Sequence, residues 1–164
     1  MYGPYVLLFF LYVPFRHTAL YLSLPFLYHI LKDMAIDLHE YKTLYLKTSQ
    51  DLVELLQKSL GVLSTTSLDA EATSEAHRAA HSLKSQSMVM GCMQIGLSSR
   101  ALEILLAKIK QKELVPTSEL LDEMHKTVVA ISRSLAEIKS HKPEVTMSES
   151  IETLERISHM PLRA

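Results

Sequence analysis

What this chain has little of narrows the field first. A single cysteine, Cys92, among 164 residues leaves no partner for an intrachain disulfide and no multi-cysteine zinc site, and it fits a reducing, cytoplasmic compartment. Tryptophan is absent, and the four glycines form neither a G-x-G-x-x-G fingerprint nor a Walker loop, so a glycine-cradled nucleotide site is excluded. Seventeen Lys and Arg against eighteen Asp and Glu give a net charge of −1, which speaks against a strongly basic nucleic-acid binder. No alternating β-branched run extends beyond a few positions, which removes α/β enzymes with a nucleotide crevice. The length allows one domain with an appendage and leaves no room for a second catalytic domain.

The composition is uneven. The first 33 residues hold nine of the eleven aromatics and only three charges, Arg16, Lys32 and Asp33. Their apolar runs, 5–15 and 19–31, each fall short of the roughly 20 residues that span a bilayer. Joined, they would enclose Arg16, Pro14 and Pro25, which is costly in lipid. A basic n-region and a small-x-small cleavage site are also missing, so a signal peptide fits poorly. Met34-Ala35-Ile36-Asp37 resembles a natural start, and residues 1–33 are expected to derive from an upstream start choice, with a membrane anchor as the alternative. A bundle over 34–142 and a tail over 143–164 complete the expected division.

From Met34 on, apolar residues recur at helical spacing. Leu38, Tyr41, Tyr45, Ser49, Leu52, Leu56 and Leu60 form one stripe, predicting a helix over 36–60 that stops at Gly61. Asp69 is an expected N-cap for a second helix over 70–90, with a core stripe of Ala76, Ala79, Ala80, Leu83, Ser87 and Met90. Gly91 and Gly96 bracket a reversal. A third helix, 94–112, would bury Ile95, Leu102, Leu105, Leu106 and Ile109. Pro116 and Thr117 open a fourth, 117–140, with Leu120, Leu121, Met124, Val128, Ile131, Leu135 and Ile138 inside. Thr146 and Glu149 read as a capping box for a short fifth helix. Four amphipathic helices with short connections predict an all-α, antiparallel four-helix bundle with a short C-terminal helix.

Most of the eight histidines have plain explanations: His39, His125, His141 and His159 lie among charged residues, and His17 and His29 lie in the leader. His77 and His81 differ. At about 100° per residue, positions 77, 81, 84, 85 and 88 share the face away from the second helix's core stripe. If the chain reverses near Cys92, residues whose numbers sum to about 184 share a height, and His81 and Glu103 do, each roughly 16 Å from the turn. A carboxylate that accepts from Nδ1 fixes the tautomer and frees the Nε2 lone pair as an outward nucleophile. Lys84 can neutralise a negative group added there, and the small Ser85 allows close approach. Two plainer readings stand beside this one. An exposed histidine near a lysine and a glutamate is common on helical surfaces. His77 and His81 also have the i,i+4 spacing of a metal pair, but their helix offers no acidic third ligand, so no metal site is expected.

Residues 78–91, Arg-Ala-Ala-His-Ser-Leu-Lys-Ser-Gln-Ser-Met-Val-Met-Gly, resemble the helix of histidine phosphotransfer (HPt) domains, particularly the N-terminal domain of chemotaxis sensor kinases. The resemblance, over about 36–140, places His81 on the phosphorylated histidine, Lys84 on the lysine beside the phosphoryl group, Gly91 on the helix-ending glycine and Glu103 on the acid that hydrogen-bonds the imidazole. Ser85 departs from the family's glycine, and His77 stands where these kinases often carry an aromatic.

The resemblance implies a stand-alone phosphorelay intermediate in the cytoplasm. His81 would exchange a phosphoryl group with the aspartate of a response-regulator receiver domain or accept one from a histidine kinase. Receivers would dock around His77, Ser85 and Met88. The partner would supply the catalytic machinery and Mg²⁺, making this chain a carrier and not an enzyme. The alternative is a helical scaffold that has lost phosphotransfer, with Ser85 as the symptom.

Overall fold

A computed structural model describes residues 23–66 and 68–162, and over 23–39 it describes the helical backbone alone. The chain divides into two compact units, 1–41 and 42–164. The expectations for residues 1–33, leader or anchor, lie outside the described residues except for the helical backbone from Ser23 on. Among the described residues no helix is long and apolar enough to cross a membrane, and none of them forms a strand.

The described elements are α1 (Ser23–Thr65), α2 (Ala70–Val89), α3 (Met93–Lys110), α4 (Ser118–Lys139) and the short α5 (Ser148–Ser158). In the second unit they form the expected helical bundle with a short C-terminal helix. One core joins Leu56 and Leu60 of α1, Ala76, Ala80 and Leu83 of α2, Leu102 and Leu106 of α3, Met124 and Ile131 of α4, and Leu154 of α5. Each fully buried leucine contributes about 2 kcal/mol to the burial that offsets chain entropy.

The helix ends follow local chemistry. The Asp69 carboxylate accepts from the Ala72 N–H at 2.7 Å, and the Thr117 hydroxyl accepts from Leu120 N–H at 3.2 Å. α2 ends in a Schellman turn: Gly91 takes φ +74°, its N–H donates to Met88 C=O, and the Cys92 N–H donates to Ser87 C=O at 2.8 Å.

Four local expectations are corrected. α1 starts at Ser23, not 36, and carries Pro25 in its first turn, where a missing N–H costs nothing. It also runs through Gly61 to Thr65, because Gly61 is exposed while Leu60 and Leu63 on either side keep the apolar stripe going. The stripe itself is rotated: Tyr41 is 60 % exposed, and Val53 and Leu63 are buried in its stead. Finally, the capping box at α5 does not form. Met147 turns into the core, its N–H donates to Gln94 Oε1 at 3.0 Å, and Thr146 is left exposed.

Candidate functional site

The α2–α3 hairpin is extensively packed, and both helices carry small buried residues, Ala76, Ala79 and Ala80 on α2 and Gly96 and Ser99 on α3. Small side chains let two helix axes approach closely and fix their register. That register sets Met88 against Gly96, where a Cβ would meet the Met88 thioether at 3.0 Å, and His81 against Glu103.

His81 sits at mid-helix with its side chain 59 % exposed. Its Nδ1 lies 2.6 Å from Glu103 Oε1. The carboxylate is 15 % exposed, and its second oxygen accepts from Lys84 Nζ, also at 2.6 Å. Burial pushes the Glu103 carboxyl up, but the hydrogen bonds from Lys84 and His81 outweigh it and hold the group below its ordinary range. Ionised Glu103 can only accept, so Nδ1 carries the hydrogen of this contact, and in the neutral ring the lone pair is then on Nε2. Among the described residues Nε2 has no protein partner. The arrangement is an exposed nucleophilic nitrogen whose ring is held in orientation and tautomer by a buried acid, which is in turn held by a lysine.

The remaining site candidates fall around this triad. His77, one turn before His81, is half-buried. Desolvation, with help from Lys110, His81 and Lys84, outweighs the pull of Glu103 and lowers its pKa. Ser85 is exposed, and its hydroxyl donates to the His81 carbonyl at 3.0 Å, so it turns onto the backbone and not over the ring. Met88 is half-buried on Gly96. Lys84 is brought to Glu103; its Nζ lies in that ion pair. Among the described residues no group of three or more His, Cys, Asp or Glu is arranged to hold a metal ion.

Comparison with known protein families matches residues 40–141 to the Hpt domain. The chain belongs to the Hpt domain family. HPt domains are phosphocarriers, not catalysts, and they act in two-component signalling with kinases and receiver domains, so a phosphotransfer-type function comes with membership. The matched span contains the whole α2–α3 hairpin and its His81–Glu103 pair.

One supporting feature of this HPt domain was not anticipated. Glu144, in the connection from α4 to α5, reaches back to the start of α3, where its carboxylate accepts from the N–H groups of Gln94 at 3.2 Å and Ile95 at 3.0 Å. Cys92, the N-cap residue, makes no side-chain cap of its own, so a distant acid completes the helix that carries Glu103. A cap from 50 residues away leaves no local sequence signal.

Proposed function

We propose that this HPt domain carries a phosphoryl group on Nε2 of His81, exchanging it with receiver aspartates or accepting it from a histidine kinase. The observation that supports this best is the 2.6 Å contact of His81 Nδ1 with ionised Glu103 on an otherwise exposed ring.

In the forward step the Nε2 lone pair forms an N–P bond while the O–P bond of an aspartyl phosphate breaks, and the aspartate leaves as a carboxylate. No proton need depart, because Nδ1 keeps its hydrogen and the ring takes up positive charge. Glu103 opposes that charge at contact distance, which favours the phosphorylated ring electrostatically. The return step reverses these bonds. Phosphoryl transfer depends on positioning and charge neutralisation, commonly with Mg²⁺, and the receiver or kinase is the proposed source of both the ion and its carboxylates. His77, Ser85 and Met88 are the proposed rim of the docking face, Met88 through the part of its side chain left open beside Gly96. The cytoplasm, where receivers and kinases act, is the proposed location.

Incubation with a phosphorylated receiver tests the reading. Acid-labile, alkali-stable phosphate should appear on the wild type and be absent from His81→Gln. No label on wild type from several competent donors would instead favour a helical scaffold without phosphotransfer.

A further inference from the structure

An incoming phosphoryl group brings negative charge to His81, yet the nearest lysine is already occupied. Lys84 Nζ is bound to Glu103 at 2.6 Å, so its charge is largely spent on the carboxylate. Two other cations of the hairpin, Arg78 and Lys110, hydrogen-bond Ser74 Oγ at 3.4 and 3.3 Å, almost two turns before His81. Arg100 is different. It is half-buried on α3, and among the described residues it makes neither a hydrogen bond nor an ion pair.

Its position is bracketed by two observed contacts. Gly96 touches Met88, and Glu103 touches His81. Arg100 lies between them in the chain, within about 60° of Glu103 around the helix and about 4.5 Å along it. The buried residues Leu102, Leu105 and Ile109 occupy the opposite side of α3, about 140–180° around the helix from Arg100, so Arg100 stands on the solvent flank of the seam with α2. The pairing that matches 81 with 103 and 88 with 96 puts Arg100 at the height of Lys84, one turn from the imidazole. A guanidinium matches phosphoryl oxygens with two parallel N–H donors, and a partly dehydrated one binds them more strongly than a solvated ammonium does.

We infer that Arg100 is the cation that binds the phosphoryl group on His81, whereas Lys84 is a positioning residue that acts through Glu103. The inference rests on the proposed function of His81. The two positive charges then have separate roles. Lys84 keeps the acid ionised and aimed at Nδ1, and Arg100 receives the anion on the far side of the ring.

The test uses the whole chain and a small phosphoramidate donor. Nε2 attacks phosphorus, the donor's N–P bond breaks and ammonia leaves, so no receiver surface is involved. Arg100→Ala should slow labelling of His81 about tenfold at low ionic strength, and the gap should narrow with added salt. Arg100→Lys should recover part of the rate. Arg133→Ala, which removes the same charge from an exposed position on α4, should match wild type. Thermal stability should not change in Arg100→Ala, because no bond is lost. Phosphorylation of wild type should also shift the Arg100 Nε–H resonance and leave that of Arg133 in place. Equal labelling rates for wild type and Arg100→Ala, or an unmoved Arg100 resonance, would overturn the assignment while leaving His81 as acceptor. Absence of label on wild type would remove the His81 reading and this one with it.

Discussion

His81 and Glu103 are 22 residues apart in the chain, and their side chains meet at 2.6 Å across the α2–α3 seam. Because Glu103 also takes the Lys84 ammonium, three polar groups on two helices act as one unit, and changing any member disturbs the other two.

Glu103→Ala should lower the rate of His81 phosphorylation at least tenfold and keep the bundle folded. The imidazole loses the partner that sets its tautomer, and Lys84 is left to solvate itself. Glu103→Gln should do less damage, since an amide oxygen still accepts from Nδ1 but carries no charge against the phosphorylated ring. Stopped labelling reactions together with circular dichroism melting curves check both halves of the expectation. Equal rates in wild type and Glu103→Ala would remove Glu103 from the mechanism.

Acid should weaken the fold through two groups. The Glu103 carboxyl is held low in the folded chain, so its stabilisation is present above the unfolded carboxyl's ordinary value and disappears as pH falls through the lower folded value. The burial-lowered imidazole of His77 acts in the same direction at higher pH, because the unfolded chain takes up a proton first, below about pH 6.5, and pulls the equilibrium its way. Urea melts between pH 7.5 and 5.5 should therefore show a loss in wild type that is smaller in His77→Gln. Melts between pH 5 and 3 should show a further loss that is smaller in Glu103→Gln. A steeper dependence in either variant than in wild type would reverse the assigned sign.

Two glycines should respond oppositely to alanine. Gly61 is helical and exposed with nothing within 4 Å of a built Cβ, so Gly61→Ala should stabilise the protein by about 1 kcal/mol. Gly91 sits at φ +74°, and Gly91→Ala should cost about 1–2 kcal/mol by straining the turn that sets the hairpin register. Denaturant titration of both variants reads the difference directly.

Glu144→Ala should cost about 1 kcal/mol or more by uncapping α3, and hydrogen exchange at Gln94 and Ile95 should accelerate before that at the helix centre. The same change should leave the His81–Glu103 contact intact at temperatures well below melting, because that pair lies near mid-helix.

How much of this was legible in the sequence depends on whether the signal was local. The apolar periods of α2, α3 and α4 picked out the large buried side chains but not small or polar buried ones such as Gly96, Ser98 and Thr127, and Met90 and Ile138 are only half-buried; Asp69 and Thr117 announced their helix starts. The numerical symmetry of a hairpin about Cys92 brought His81 to Glu103. Applied once more, the same sum would have seated Met88 on Gly96. Lys84 was expected to face an added phosphoryl group; its ammonium lies on Glu103, a pairing across the seam that no local pattern announces. Gly61 misled as a stop signal, since a helix whose next turn carries a buried leucine tolerates an exposed glycine. Thr146 and Glu149 had capping-box spacing, but the core took Met147 and the Gln94 side chain took its N–H. No local pattern encodes that competition, nor the reach of Glu144.

Nitrogen-15 labelling of histidine and NMR of the phosphorylated chain measure directly which imidazole nitrogen carries phosphorus. A single phosphohistidine is expected, at His81, bonded through Nε2, with a proton on Nδ1 that is shielded from exchange by Glu103. Phosphorus on Nδ1 of His81, or on His77 in its place, would contradict it.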